Sequence, residues 1–260
     1  MTSSDIRGRF VWYDLMTTDL KAALRFYANV TGWGVEDWKN SETPYKLWMA
    51  AETAVGGAME LPADARAMGA SPQWMAHVGT PDVDATCREV EALGGNVLKQ
   101  PEDIPTVGRF AVIADPQGAT LSVFSSVEGG EMPSPKWGTP GTFSWNELMT
   151  SDPIAALEFY RALFGWEPDD AVDMGEDGLY QMFTVGGRML GGMYKKPAQV
   201  PGPPRWLYYV LVEDIERALA VVRQGGGQVL NGPMEVPGGD LIAQCLDPQG
   251  VAFAIHAKKQ

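Results

Sequence analysis

The sequence predicts an α+β protein in which a strand, a helix and three further strands form one unit, βαβββ, that occurs four times in two tandem domains. Three observations support this fold class: a long internal repeat, two shorter motifs that recur in the same order, and strand and helix patterns that alternate twice within each copy. The repeat carries the most weight, because it divides the chain before any element is assigned.

The internal repeat covers 24 residues. Phe10–Trp33 aligns with Phe143–Trp166 at an offset of 133, and 13 of these 24 positions are identical. The motif Asp-Pro-Gln-Gly at 115–118 recurs at 247–250, and the Gly-Gly pair at 56–57 recurs at 191–192. Because all three echoes keep their order at nearly one offset, they indicate a duplication.

The duplication predicts two domains, at residues 1–127 and 141–260. Residues 128–140 lie between them and are rich in Gly, Pro and Ser. This composition is typical of an exposed linker.

Local patterns predict the elements of the first copy in order. Residues 10–16 alternate as a strand does, Asp19 is placed to cap the following helix, and Gly32 is placed to end it. Strands are expected at 45–51 and 55–60. A second cycle then gives a strand at 74–80, a helix at 83–93, and a hairpin of 109–114 with 120–124 around Asp-Pro-Gln-Gly. The second copy repeats this order, with its last helix at 215–223.

Composition excludes several function classes. Lys and Arg total 20 against 33 Asp and Glu, a net charge of −13, which would repel a nucleic acid backbone. From the polar first residues we expect no export signal, and no apolar run approaches the roughly 18 residues that a membrane span needs. The two cysteines lie far apart, which favours a reducing compartment. We therefore expect a cytoplasmic protein without nucleic acid or membrane partners.

The motifs together resemble the glyoxalase, bleomycin resistance and extradiol dioxygenase superfamily, also called the vicinal oxygen chelate superfamily. The resemblance rests on FVWYDLMTTD-x2-AALRFY-x4-GW, the Gly-Gly strand, the helix ending in Gly-Gly and the closing DPQG hairpin, and it covers nearly the whole chain twice. More narrowly, the chain is similar to fused two-domain glyoxalase-like proteins. The resemblance implies that two βαβββ units form curved mixed sheets around a cavity, and that metal-using members bind a divalent ion through His on first strands and a carboxylate on last strands.

The positions that would bind such an ion can be located by counting. The expected His positions lie seven residues before the Asp that follows the first strand of each unit, and they are occupied by Trp12, Met75, Trp145 and Leu207. The expected carboxylate positions lie seven residues after the Asp of each DPQG turn, and they are occupied by Ser122 and Ala254. None of these suits a hard divalent cation, and the chain has only two histidines. We expect no metal site and no other cofactor.

Strand alternation predicts which other side chains share a face with these positions. Asp14 follows Trp12, Glu147 follows Trp145, and His77 follows Met75 at a spacing of two. The candidate acid or base residues are thus Asp14, Glu147, His77 and His256. The first cavity is expected to hold Trp12, Asp14, Met75, His77, Ser122 and Phe124, and the second Trp145, Glu147, Leu207, Tyr209, Ala254 and His256.

Structural roles for the same residues stay open at this point. Asp14 and Glu147 could bond to buried backbone or pair with a basic residue such as Arg109, and both histidines could be structural. The leading hypothesis is a protein that binds a small hydrophobic or carbonyl-bearing molecule without a divalent metal. The alternative is a glyoxalase-type lyase or isomerase, or an oxygenase. Because the fusion supplies a domain pair within one chain, a monomer or a homodimer is expected.

Overall fold

The computed structural model describes residues 6–39, 44–127, 133 and 135–259. The first copy contains β1 (Phe10–Thr17), α1 (Leu20–Thr31), β2 (Gly34–Asp37), β3 (Lys46–Ala50), β4 (Thr53–Glu60), α2 (Ala63–Ala67), β5 (Gln73–Gly79), α3 (Val83–Ala92), β6 (Asn96–Ile104), β7 (Gly108–Ala114) and β8 (Thr120–Ser126).

The second copy contains β9 (Phe143–Thr150), α4 (Pro153–Phe164), β10 (Glu167–Asp173), a 3-10 turn (Gly175–Asp177), β11 (Leu179–Val185), β12 (Arg188–Lys195), β13 (Arg205–Leu211), α5 (Ile215–Gln224), β14 (Gln228–Glu235), β15 (Leu241–Leu246) and β16 (Ala252–Ala257). Of the predicted linker, 128–132 and 134 lie outside the described residues, and its described residues form neither helix nor strand.

Each copy forms one mixed sheet of eight strands, which confirms the predicted α+β class. The strand order is β2-β3-β4-β1-β5-β8-β7-β6 in the first copy and β10-β11-β12-β9-β13-β16-β15-β14 in the second. In the first copy, β1 pairs with β4 and β5 pairs with β8 in parallel. The pairs β2–β3 and β7–β8 are antiparallel. The identical order in both copies is the structural counterpart of the sequence repeat.

The four strands at the sheet edges, β2, β6, β10 and β14, had no clear sequence pattern of their own. Their residues are exposed or half-buried throughout, so no row of buried apolar side chains marks them in the sequence. The βαβββ repeat required these strands, but the local composition did not place them.

An aspartate caps the N-terminus of each principal helix. Asp19, Asp82, Asp152 and Asp214 accept hydrogen bonds from backbone amides in the first turn, at 2.9 to 3.1 Å. The predicted cap at Asp19 is confirmed. Gly32 ends α1 in the left-handed conformation, at φ 78°, also as predicted. These caps fix the end of each first strand, and therefore the register from which the site positions were counted.

The chain packs as two compact units, and each draws on both copies. One unit, here called the Asp247 unit, comprises the described residues within 12–74, 133–144 and 207–260. The other, the Asp115 unit, comprises those within 1–11, 75–132 and 145–206. The sequence repeat did not reveal this interleaving.

A buried aspartate joins the two copies within the Asp247 unit. Asp247 Oδ1 accepts from the amides of Gln249 and Val251, both at 2.8 Å, and Oδ2 accepts from the Tyr27 hydroxyl at 3.1 Å. Trp74 Nε1 donates to the same hydroxyl at 3.0 Å. One carboxylate thus closes the β15–β16 turn of the second copy and binds helix α1 of the first.

The Asp115 unit contains the reciprocal arrangement. Asp115 Oδ1 accepts from the amides of Gln117 and Ala119, both at 2.9 Å, and Oδ2 accepts from the Tyr160 hydroxyl at 3.0 Å. Burial raises the pKa of both Asp115 and Asp247 above the ordinary value. Each carboxylate therefore depends on its donors to offset the cost of leaving water.

The first residue of β1 and of β9 packs among aromatic side chains of the other copy. In the Asp247 unit, the ring of Phe143 lies 5.7 Å from that of Trp33, whose Nε1 donates to Gly141 O at 2.7 Å. In the Asp115 unit, Phe10 stacks on Trp166 at 5.4 Å, and Trp166 Nε1 donates to Gly8 O at 2.6 Å. These contacts hold the start of each strand.

Among the described residues, no helix has the length and apolar character needed to cross a membrane.

We predict that Tyr27→Phe lowers the free energy of unfolding by about 1–3 kcal/mol, because it removes one donor from the buried Asp247 carboxylate. Urea denaturation at pH 7 measures the change. Tyr160→Phe removes the matching donor in the other unit and should cost a similar amount. Loss of less than about 0.5 kcal/mol in both variants would show that the reciprocal bonds do not stabilise the fold.

We predict that the stability advantage of the wild type over Asp247→Asn declines as pH rises. The folded-state pKa of Asp247 is raised above the unfolded value of about 3.9, so the contribution of this group is complete below that value and is lost as pH rises through the folded pKa. An asparagine does not titrate. Urea denaturation of both proteins from pH 4 to 8 tests this, and an advantage that is constant or grows with pH would contradict it.

Candidate functional site

Two matching strand faces carry the predicted carboxylates. The first, here called the Asp14 wall, lies in the Asp247 unit. Asp14 pairs in register with Gly57 and Gly57 with Leu47, while Met16 pairs with Met59. The Asp14 wall thus consists of one acid among aromatic and apolar side chains: Trp12, Asp14, Met16, Tyr45, Leu47 and Met59.

Three polar groups on the Asp14 wall bond to one another. Trp12 Nε1 donates to Asp14 Oδ1 at 3.0 Å and to the Tyr45 hydroxyl at 2.7 Å, and that hydroxyl donates to Asp14 Oδ1 at 2.5 Å. An indole N–H and a phenol O–H therefore both donate to one oxygen of Asp14. Trp12 and Asp14 lie together as the spacing of two predicted.

The Glu147 wall in the Asp115 unit has the same construction. Glu147 pairs in register with Gly192 and Met149 with Tyr194, and Gly192 pairs with Met182. Trp145 Nε1 donates to the Tyr180 hydroxyl at 2.6 Å, which donates to Glu147 Oε2 at 3.1 Å. The wall comprises Trp145, Glu147, Met149, Tyr180, Met182 and Tyr194.

The recurring Gly-Gly pair makes both walls possible. A Cβ at Gly57 would overlap the Tyr45 hydroxyl, and one at Gly192 would overlap the Tyr180 ring. The preceding glycines, Gly56 and Gly191, lie against the backbone of the neighbouring first strand. One glycine of each pair thus admits the close approach of β1 or β9, and the other leaves room for the tyrosine over the strand.

The tyrosine of the Asp14 wall stays protonated over a wide pH range. Burial, and then the negative charge of Asp14, raise the pKa of the Tyr45 phenol well above its ordinary value. Because the phenol stays neutral, it remains a hydrogen-bond donor to the carboxylate at neutral and moderately alkaline pH.

His77 lies on a different strand face of the Asp115 unit. It is 7% exposed, pairs in register with Ser122, and has its ring 6.3 Å from that of Phe124 and 6.2 Å from that of Phe110. The Ser122 hydroxyl donates to the carbonyl of Ala111 at 3.1 Å. The predicted neighbours His77, Ser122 and Phe124 are therefore brought together, and Met75 is buried on the same strand.

His256 lies in the Asp247 unit between a hydroxyl and a carboxylate. Its Nδ1 is 2.9 Å from Ser144 Oγ and its Nε2 is 2.9 Å from Asp240 Oδ2. The backbone amide of Lys259 donates to the other Asp240 oxygen at 2.9 Å. This hydrogen bond is the largest of the causes that lower the pKa of Asp240 below its ordinary value. Ser144 and Asp240 were not singled out from the sequence.

The other predicted residues of the second copy lie on neighbouring strands. Tyr209 pairs in register with Ala254, and its hydroxyl accepts a hydrogen bond from Gln244 Nε2 at 3.1 Å. Leu207 is half-buried on the same strand as Tyr209. Asp14 and His256 belong to one unit, Glu147 and His77 to the other. The grouping of all twelve residues into two cavities stays a prediction.

Sequence reasoning missed Tyr45 and Tyr180, the residues that connect tryptophan to carboxylate. A signal was present, because these tyrosines recur at the offset of 135 that also relates the Gly-Gly pairs. Arg109, considered as a partner for the acids, forms ion pairs with Asp84 at 2.7 Å and Asp103 at 2.8 Å. Asp14 accepts hydrogen bonds from the Tyr45 phenol and the Trp12 indole, and Glu147 accepts one from the Tyr180 phenol.

The donor atoms at the metal-ligand positions of the superfamily do not fit a hard divalent ion. An indole offers an N–H donor and no lone pair for a metal, and Trp12 and Trp145 use that donor in hydrogen bonds. Leu207 and Ala254 have no ligand atom, Met75 has only a thioether, and the Ser122 hydroxyl is bonded to backbone. Within the described residues, no group of three His, Cys, Asp or Glu is placed to hold a metal.

Comparison with known proteins identifies the family. The model of the Glyoxalase/Bleomycin resistance protein/Dioxygenase superfamily matches residues 9–123 and 142–255, so the chain belongs to this superfamily. The resemblance inferred from the motifs is confirmed.

Two relatives align over nearly the whole chain. CFP32 of Mycobacterium bovis, named as a candidate glyoxylase, is 32% identical over 250 residues, covering 94% of this chain and 92% of the relative. The anthracycline biosynthesis protein DauV of Streptomyces sp. strain C5 is 30% identical over 264 residues, covering 95% and 92%.

Solved structures agree with the fold. The 2,3-dioxygenase LapB of Pseudomonas sp. KL28 superposes with a TM-score of 0.66 at 13% identity, covering 98% of this chain and 94% of that structure. The Mn(II)-bound glyoxalase of Novosphingobium aromaticivorans gives a TM-score of 0.61 at 18% identity, covering 98% and 83%. At these identities the likeness shows the fold alone.

We predict that Gly57→Ala displaces Tyr45 from Asp14 and lowers the free energy of unfolding by about 1–3 kcal/mol, because the new methyl group overlaps the phenol. Near-UV circular dichroism and urea denaturation measure the two effects. Gly192→Ala should behave alike. Gly34→Ala is the control, because a Cβ there meets Met49 at ordinary contact distance. An unchanged aromatic spectrum in Gly57→Ala would contradict the close packing described for this wall.

Proposed function

We propose that this chain binds a small hydrophobic or carbonyl-bearing molecule against its Trp-containing walls, and that it does so without a divalent metal. One observation carries the proposal: at the first-strand position where metal-using relatives place a ligand, Trp12 and Trp145 each donate an indole N–H to a neighbouring phenol. That position therefore supplies an apolar ring face, and it has no lone pair for a metal cation.

The composition of the walls supports a small organic ligand. Of the twelve wall side chains, two are acids, and the rest are Trp, Tyr, Met and Leu. Surfaces of this kind, apolar with a few fixed polar groups, are typical of small-molecule sites. Methionine side chains adapt to ligands of irregular shape. The relative named for anthracycline biosynthesis is consistent with an organic ligand of this type.

The remaining predicted contacts belong to the same proposal. Met75, Ser122 and Phe124 would supply ligand contacts from the Asp115 unit, and Leu207, Tyr209 and Ala254 from the Asp247 unit. We expect His77 and His256 to add the polar groups. The proposed partner is the ligand alone, bound by a monomer or homodimer.

Chemical transformation of the ligand is the second candidate, in the form of a glyoxalase-type lyase or isomerase, or an oxygenase. One observation favours it: each carboxylate lies within 3.1 Å of a phenol, so an acceptor and a donor of protons are adjacent. His256, held between Ser144 and Asp240, is a further candidate base. The name of the mycobacterial relative points in the same direction.

We predict that protein purified without chelators contains less than about 0.1 divalent ion per chain and binds 2-naphthaldehyde equally well before and after EDTA treatment, because no hard-ion ligand set is needed. Elemental analysis and quenching of tryptophan fluorescence measure this. The combined change Trp12→Phe and Trp145→Phe should weaken binding by about tenfold, because it removes ring area from both walls and the N–H groups that hold Tyr45 and Tyr180 in place.

The control for this experiment is Trp137→Phe, because Trp137 is 58% exposed and belongs to neither wall. A stoichiometric metal whose removal abolishes binding would overturn the metal-independent proposal. Slow conversion of the probe, seen as a change in its absorption spectrum and lost in Glu147→Gln, would instead support the enzymatic candidate.

A further inference from the structure

We propose that the Asp14 wall and the Glu147 wall receive the protonated amine of an organic cation whose body is aromatic. This inference rests on the proposed function and adds the charge and the polar group of the ligand. Three features of the walls support it. Each wall has an acid at the same position, aromatic rings lie beside that acid, and none of the twelve wall residues is basic.

The acid is the only charged side chain type on either wall. Asp14 and Glu147 occupy equivalent positions, each in register with the second glycine of a Gly-Gly pair. The duplication has changed the acid by one methylene and kept its charge. Glu147 is 6% exposed. In such surroundings a carboxylate attracts a cation more strongly than it would in water.

Aromatic faces lie beside each acid. Trp12 and Tyr45 contact Asp14 through their polar atoms, and Trp145 and Tyr180 form the matching pair. On the second wall Tyr180 also stacks on Tyr194, with ring centroids 5.9 Å apart. An ammonium group beside a carboxylate and over such rings gains both the charge interaction and the cation–π interaction.

The N–H and O–H donors next to each acid are already engaged, so any carbonyl of the ligand would lie away from the acids. Trp12 donates to Tyr45 and to Asp14, Trp145 donates to Tyr180, and Tyr45 and Tyr180 donate to the acids. A carbonyl oxygen brought to this place would face a carboxylate, which accepts hydrogen bonds and donates none when ionised. An ammonium group brings its own donors, so it complements the same arrangement without breaking it.

The charge of the whole chain acts in the same direction. A net charge of −13 raises the local concentration of cations and lowers that of anions. The charge alone would favour any cation, including inorganic ones. The aromatic and methionine surface next to the acid is what selects an organic one.

The test compares three probes that differ in one group: 2-naphthylmethylamine, 2-naphthalenemethanol and 2-naphthoate. Quenching of tryptophan fluorescence at pH 7 gives the dissociation constants. We expect the amine to bind at least about tenfold more tightly than the alcohol, and the carboxylate probe to bind least. In the double variant Asp14→Asn with Glu147→Gln, the preference for the amine should fall to within about twofold of the alcohol.

Two control variants separate charge from folding and from general electrostatics. The exchange Asp14→Glu with Glu147→Asp keeps both charges and should keep the preference for the amine. Glu216→Gln removes one charge at an exposed position of α5 and should leave that preference unchanged. Urea denaturation identifies any variant that is not folded.

Each outcome decides the matter. If the alcohol binds as tightly as the amine, or if the preference survives removal of both acids, this inference is wrong while the proposed binding function stands. If none of the three probes and no naphthaldehyde binds, both proposals fall. If the charge-exchanged variant loses the preference although it is folded, recognition depends on more than the two charges and the inference is overturned in its stated form.

Discussion

The hydrogen bond between a helix tyrosine of one copy and the turn aspartate of the other is the constraint on which the rest of the structure depends. Asp247 accepts from Tyr27, and Asp115 accepts from Tyr160. Each carboxylate is buried, so its partners must be present in the folded chain. The same oxygens hold the amides of the Asp-Pro-Gln-Gly turn. A short turn motif therefore fixes a hairpin and joins the two copies at once.

That constraint places the candidate site through strand register. β1 and β9 begin at Phe10 and Phe143, which pack in the aromatic clusters of the opposite copies. Both strands are followed by a helix capped by aspartate. A strand held at both ends cannot slip by one residue, and such a slip would exchange Asp14 with buried Leu15. Asp14 and Glu147 therefore lie on their walls because contacts at the two ends of β1 and β9 fix the register of these strands.

Much of the fold could be predicted from the sequence, because the repeat allowed each element to be predicted from two related segments. Helix caps, first strands and the turn hairpins follow from local chemistry that acts within a few residues. The edge strands could not be placed, since their residues are exposed or half-buried throughout. The exchange of segments between units arises from contacts such as Tyr27 with Asp247, which are 220 residues apart. Strand spacing predicted that Trp12 and Asp14 share a face, while Tyr45 reaches them from another strand.

The two walls show how a tryptophan in place of a histidine changes the chemistry of the first-strand position. At the first-strand positions where the resemblance to the superfamily predicts a His in metal-using members, the first unit of both copies has a tryptophan. An imidazole can give a lone pair to a cation, whereas an indole can only donate its N–H. That donor engages a tyrosine, and the tyrosine engages the acid. A phenol O–H thus meets the carboxylate in both copies, and the Gly-Gly pair leaves the space that the tyrosine needs. The copies differ in the length of the acid and in two other wall residues, but the connection from tryptophan through tyrosine to the acid is present in both.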